Sequence, residues 1–423
     1  YPVKFQSKTN QRFQNHHCRE LFATSLLVPS KQPTNLCYIT SNIRNKKTMG
    51  NRSSSAAAAG PPPLLASAVM GDFSSFEREW NNAANVDKSS STSSPINSIH
   101  DSQGNNALHA LFSCRTQSPQ CRQILDLIHN NSSEELLAQA YQRQNSLGCT
   151  PLWILVAYGN VDLLRRVQEI WANVDDDDDK KMSMESLLQV PNYQGDSPFL
   201  ATCSQGNLEM VQYLREHVWT TITTTTTTTT LAEAEEEDED PFAKAVVQAN
   251  QKGTTPLQIV VGNHHVTVLH YILQQSTNKT STELLRTQLT QSNPAGLSLF
   301  HICSERNAHE ALRALLTFWM DSYPDGKDDL THPALDQILS LTDKNGANAL
   351  HVAVFCGNVE VTELWLDVIE KTCQKQRDDN NNNNNNDSRQ MFLNKTDGDG
   401  RPAYWIARLQ GREAIAQLLV ERG

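Results

Sequence analysis

Three histidines, His109, His301 and His351, occupy the same place in a phrase that recurs along the 423-residue chain. Imidazole is the side chain best suited to move a proton or ligate a metal near neutral pH. The other copies of the phrase hold Trp153, Leu200, Gln258 and Trp405 at that place. A position that accepts indole, isobutyl and carboxamide is a packing position, so each histidine is expected to bond a capping hydroxyl or loop backbone within its own unit. His264, His265 and His270 share one helical stretch that lacks the cysteine or carboxylate spacing of a metal site. The acidic turns fail as calcium loops. With Gly400 sixth, Lys395 is first and Ile406 twelfth; with Gly326 sixth, Tyr323 is third and His332 twelfth. The sequence has no phosphate-binding Gly-Lys loop, nucleophile elbow or kinase signature. No catalytic residue, metal ligand or cofactor is assigned, and the chain is expected not to be an enzyme. A site assembled at an insertion is the minor alternative.

Nine cysteines, at 18, 37, 114, 121, 149, 203, 303, 356 and 373, include no Cys-x-x-Cys pair. This points to reduced thiols in an intracellular protein, not to a disulfide framework. Met49-Gly50-Asn51-Arg52-Ser53 has the form of an N-myristoylation signal, with Gly50 as lipidation site if translation starts at Met49. One acyl chain binds membranes only marginally, and Gly50 to Ile99 adds only Arg52, Arg78 and Lys88 as a second signal, so anchoring would be reversible. The Asn-x-Ser/Thr triplets at Asn51, Asn131, Asn278 and Asn394 are expected to be unmodified.

Most of the net charge of -11 is local. Asp175 to Asp179 contribute five negative charges and the stretch from Glu233 to Asp240 contributes seven, so the remainder is +1. A nearly neutral body does not steer nucleic acid or anionic lipid. No apolar run approaches the ~20 residues of a membrane-spanning helix. Residues 1–48 carry eight Lys/Arg against Glu20 alone and have no apolar periodicity. They read as a transit-type segment, a disordered arm or sequence upstream of the true start; the opening at Tyr1 favours the third.

The elements that position these residues follow from the recurring phrase itself. Its seven copies open at Gly104, Gly148, Gly195, Gly253, Gly296, Gly346 and Gly400, as in Gly148-Cys-Thr-Pro-Leu-Trp153 and Gly346-Ala-Asn-Ala-Leu-His351. The opening glycine suits a turn with positive φ. Asn106, Thr150, Ser197, Thr255, Ser298 and Asn348 then serve as N-caps, with Pro151, Pro198 and Pro256 at the first helical position. The helix is short, because Gly159-Asn160, Gly206-Asn207, Gly262-Asn263, Arg306-Asn307, Gly357-Asn358 and Gly411-Arg412 supply a second turn. A second, amphipathic helix follows, as in Val161, Leu163, Leu164 and Val167. An earlier half-match around Ala68 to Phe73, with Phe76 and Trp80 behind it, predicts a further unit from about Pro61.

This phrase resembles the Thr-Pro-Leu-His signature of the ankyrin repeat family. The resemblance implies an all-α, ankyrin-repeat-type helical solenoid of seven to eight units over 61–423, preceded by a disordered segment over 1–60. The glycine intervals of 44, 47, 58, 43, 50 and 54 residues exceed the ~33 of a standard repeat. HEAT or armadillo arrays remain a weaker alternative. The excess falls after the second helix, where low-complexity insertions near 174–181, 220–240 and 378–388 are expected to be disordered. In the same slot, Ser133, Ser183 and Ser281 precede paired leucines and predict a short helical turn.

A solenoid exposes a long concave surface, and its usual task is to hold another macromolecule. In proteins that this array resembles, partners contact the last positions of the first helix, here Tyr158, Ser204, Gln205, Asn263, Glu305, Arg306, Phe355 and Gln410. The resemblance therefore implies a protein-binding scaffold or adaptor, monomeric and cytoplasmic. Its partners are expected to be other proteins, not nucleic acid, and membrane contact would occur only through Gly50. A reversibly membrane-associated regulatory adaptor is the alternative. The C-terminal unit, with Arg408, Arg412, Glu413, Glu421 and Arg422, reads as a polar cap.

Overall fold

The computed structural model describes residues 61–86, 95–114, 119–172, 184–219, 240–275, 279–322, 332–380 and 385–422. The chain divides into Tyr1–Ala56 and Ala57–Gly423. The first unit, with Met49 and Gly50, lies outside the described residues, as do Asp175 to Asp179, Ser183 and Thr223 to Thr230. The described residues are mostly helical, and their one extended pairing is an isolated bridge between Thr396 and Pro402.

A side chain that the recurring phrase does not contain builds each turn. Three residues before each opening glycine stands Asn or Asp, and its Oδ1 accepts two backbone N–H groups. Asn145 takes Leu147 and Cys149, both at 3.0 Å, and Asp343 takes Asn345 at 2.8 Å and Ala347 at 2.9 Å. Asp101, Asn192, Asn250, Asn293 and Asp397 repeat the pattern. The side chain thereby replaces backbone partners that an irregular turn lacks. Gly148 then turns the chain at φ 80°, and a Cβ there would lie 2.5 Å from the backbone N of Tyr193 in the next turn.

The first helices start where the caps predict. Thr150 accepts the N–H of Trp153, Ser197 that of Leu200 and Asn348 that of His351, opening Pro151–Tyr158, Pro198–Gln205 and Ala349–Cys356. Replacing Thr150 with Ala leaves the Trp153 amide without this acceptor and is expected to cost about 1 kcal/mol in urea unfolding. Left-handed Gly159, Gly206 and Gly357 end these helices. One turn departs from expectation. Helix Pro256–Gly262 runs through its glycine, and the left-handed residue is His264 at φ 61°. Three residues, not two, separate it from the following helix Val266–Gln274, which moves the reversal downstream.

The second helices, such as Val161–Ala172, His309–Asp321 and Val359–Asn380, bury one face. Each first helix packs on the next first helix, and each second helix on the next second helix, from Pro63–Met70 and Phe73–Val86 through to Ala403–Leu409 and Glu413–Glu421. The half-match near Ala68 is therefore a unit of the same build.

The slot after the second helix holds more structure than a short turn. It carries Glu134–Gln142, Met184–Leu188, Pro241–Val247, Lys279–Thr290, His332–Ser340 and Asn385–Leu393. Ser281 lies inside Lys279–Thr290 and does not cap it; its hydroxyl stands 3.5 Å from Asp240 of the preceding unit. Pro241–Val247 was not anticipated, because its cap, Asp240, reads as the tail of an acidic run. The carboxylate accepts the N–H of Phe242 at 3.0 Å, with Pro241 at the first helical position. The backbone of Val359–Asn380 reaches the start of the asparagine run, and Asn385–Leu393 begins within it.

Candidate functional site

The eight residues singled out for partner contact stand at or just beyond the ends of the first helices. Tyr158, Gln205 and Arg306 are the last residues of their helices, and Ser204 and Glu305 stand one residue before the end. Phe355 is one residue short of its helix end, Gln410 follows its helix, and Asn263 follows Gly262. Gln205 is exposed and the other seven are half-buried.

Hydrogen bonds tie these helix ends to one another. In four units the start of the second helix reaches back to the end of the preceding unit's first helix. Asn207 Nδ2 donates to the Gly159 carbonyl at 3.4 Å, and Asn263 Nδ2 to the Ser204 carbonyl at 3.1 Å, which the His265 ring also meets at 3.0 Å. Asn358 Nδ2 donates to Ser304 at 2.6 Å and Glu305 at 3.1 Å, and Arg412 donates to the Cys356 carbonyl at 3.4 Å. These bonds satisfy carbonyls that a helix end leaves without intrahelical donors. Tyr158, Ser204, Asn263, Glu305, Phe355 and Gln410 follow one another at these ends, one per unit.

Charge gathers towards the C-terminal part of that series. Burial raises the Glu305 carboxyl above its usual range, with the Arg306 guanidinium opposing. The Cys356 thiol is pushed up to about 11 by burial and by Glu305, against Arg412 and Arg306. A Cβ on Gly357 would lie 2.7 Å from the Arg412 guanidinium carbon, so Arg412 lies directly over the turn. The earlier part of the series, from Ser204 to Asn263, is uncharged.

The histidines lie elsewhere, at the opposite ends of the first helices, and they bond beyond their own units. His109 Nδ1 faces the Asn106 cap, and Nε2 meets the Cys149 carbonyl of the next unit at 3.0 Å. His301 receives the Ser298 N–H and meets Ala347 O at 3.1 Å; His351 receives the Asn348 N–H and meets Lys395 O at 2.9 Å. The expectation of bonding within one unit is thus half of the arrangement, because the far ring nitrogen reaches a residue 40 to 46 positions on. Accepting on Nδ1 and donating from Nε2 requires the neutral ring. Burial depresses the pKa of all three, that of His109 to about 4. Each imidazole is committed on both nitrogens to joining units. Trp153, in the same place, donates its indole N–H to Asp196 of the next unit at 2.9 Å.

Trp405 holds that place in the last unit and is 48% exposed, with Tyr404 at 44% and Leu409 at 48%. The face expected to be a polar cap therefore carries three large apolar side chains. The helix presents here the residues that earlier units bury under their successor, as Leu152, Trp153 and Ala157 are buried.

Among the described residues no group of three or more His, Cys, Asp or Glu side chains is placed to hold a metal ion, and no helix is long and apolar enough to cross a membrane. The Asn or Asp of each turn lies outside the recurring phrase, yet it has a sequence signal of its own, since Asn/Asp-x-x-Gly occurs at all seven openings. A scan against protein-family models returned no match, and a search of the curated proteins returned none.

Proposed function

We propose that the chain is a non-catalytic protein-binding scaffold, built as an ankyrin-type solenoid, whose first-helix ends form the surface that receives partner proteins. The observation that carries this reading is the set of hydrogen bonds between neighbouring ends, Gly159 with Asn207, Ser204 with Asn263, Glu305 with Asn358 and Cys356 with Arg412. Successive units present their contact positions at a regular spacing, and an elongated surface of this kind suits recognition of another macromolecule. Tyr158 and Phe355 supply aromatic area, and Glu305 and Arg306 supply charge, the mixture typical of protein contacts. Arg306 and Arg412 are too few to neutralise a nucleic-acid backbone. The committed histidines favour a binding role over proton-transfer chemistry.

The test compares the full chain with a Tyr158→Ala, Glu305→Ala, Phe355→Ala variant by affinity capture and mass spectrometry. Equal far-ultraviolet circular dichroism is confirmed first. Defined partners bound by the parent should fall at least about tenfold with the variant, the size expected when interface anchors are truncated. Unchanged recovery of the same partners would place recognition on another surface.

A further inference from the structure

Cys114 and Cys121 form a pair that the repeat pattern does not require. Both are buried, each at 1% exposure, and their sulfurs lie 3.5 Å apart, in contact. They stand at the two ends of an unusual connection. In the other units two or three residues join first and second helix, as Gly159 and Asn160 join Pro151–Tyr158 to Val161–Ala172. Between Ala107–Phe112 and Pro119–Asn130 there are six. Five of the other first helices end on a left-handed residue such as Gly159 or Asn307, whereas this one, like Ala403–Leu409, ends on a right-handed residue, Ser113, and Cys114 follows with its N–H on Leu111. Cys121 is the third residue of Pro119–Asn130. The long connection brings two thiols together where a covalent closure can act.

We propose that Cys114 and Cys121 are a disulfide-forming pair, oxidised by exchange with a low-molecular-weight disulfide of the glutathione class. One protein thiol loses its proton, and the thiolate attacks a sulfur of the small disulfide. A protein–glutathione S–S bond forms, the original S–S bond breaks, and the leaving thiolate takes up a proton. The second cysteine, as thiolate, then attacks the protein sulfur of that mixed disulfide and expels the second small thiolate. In sum, two protein thiols are oxidised with loss of two hydrogens, and one small disulfide is reduced to two thiols. The bond closes a short loop and restricts the unfolded chain, so the oxidised protein resists unfolding more than the reduced one.

Trypsin makes the bond directly visible, because cleavage after Arg115 and Arg122 separates Cys114 from Cys121. The reduced full chain is incubated with oxidised glutathione until the products stop changing, quenched with iodoacetamide in denaturant and digested. The expected product is the Ser89–Arg115 and Thr116–Arg122 peptides joined, two mass units below their sum and vanishing on reduction. Its yield should exceed any pairing of Cys149, Cys203 or Cys303 at least tenfold, and the oxidised chain should melt at a higher temperature. In Cys114→Ser the joined pair should disappear and Cys121 should carry glutathione, the trapped intermediate; Cys121→Ser should show the converse. Glutathione on both cysteines of the parent without a joined pair, or both cysteines fully alkylated, would overturn the proposal.

Discussion

Lowering the pH from 7 to 5 will destabilise the folded chain, and the buried histidines will account for most of the loss. His109 has its pKa depressed by burial to about 4, against the usual 6.5. At pH 5 an unfolded chain carries the proton on this ring and the folded chain does not, so protonation favours unfolding. At pH 5 the difference amounts to about 2 kcal/mol for His109 by linkage; it begins as the pH falls below 6.5 and reaches its full size, about 3 kcal/mol, only below about 4. Burial lowers His301 and His351 in the same direction. His129, which meets the Tyr141 hydroxyl at 2.9 Å, is also depressed to about 4. Glu305 acts in the opposite direction, because burial raises its pKa and protonation there favours the folded chain. Burial of Asp397 is outweighed by hydrogen bonds from Arg401 and Asp399, which lower its pKa, so its contribution is present above the usual carboxylate range and lost only below it.

The chain contains its own control for this effect. Gln258 occupies the histidine position of its unit and makes the same reciprocal cap, accepting the Thr255 N–H at 3.2 Å while Thr255 accepts the Gln258 N–H at 3.3 Å. A His109→Gln, His301→Gln, His351→Gln variant should keep its helix starts and lose stability at pH 7 with the bonds between units. Thermal unfolding at pH 7 and pH 5 should then show a drop less than half that of the parent, the remainder coming from His129. An equal drop in parent and variant would show that other groups titrate.

The local chemistry of this fold was legible in the sequence. Thr150, Ser197 and Asn348 cap helices because a short polar side chain finds an amide three residues on, an interaction contained within the phrase. The candidate site was legible to the same degree: its positions, counted from each opening glycine, fall at helix ends. Asn263 and Gln410 fall one residue beyond their helices, where three residues precede Val266 and Glu413. What the sequence hid depends on residues about one unit away. The partners of His109 and Trp153 are 40 and 43 positions distant, so no local pattern announces them. Pro241–Val247 was hidden for another reason, since composition assigns Asp240 to a charged run when its geometry makes it a cap. The exposure of Trp405 reflects that no described unit packs over it, a fact of position that residue type conceals.

Two glycines with the same backbone conformation should respond very differently to alanine, because one faces another turn and the other faces open space. Gly346 has φ 71° and Gly400 has φ 76°. A Cβ at Gly400 would meet nothing within 4 Å, whereas at Gly346 it would lie 2.6 Å from the backbone N and 2.9 Å from the Cα of Gly398. Gly400→Ala therefore reports only the left-handed strain, about 1–2 kcal/mol. Gly346→Ala adds the cost of forcing two backbones apart, about 1–3 kcal/mol more. That displacement lengthens the bond from Gly398 N–H to the Asn345 carbonyl, now 2.8 Å, and loosens the nearby contact of His351 with Lys395. Because each unit is coupled to its neighbours, the loss should appear first in the last unit. Hydrogen exchange of Ala403–Leu409 and Glu413–Glu421 should accelerate strongly in Gly346→Ala and little in Gly400→Ala, ahead of any change at Pro151–Tyr158. Equal cost for the two substitutions in urea unfolding would mean that the packed turns contribute nothing to the coupling between units.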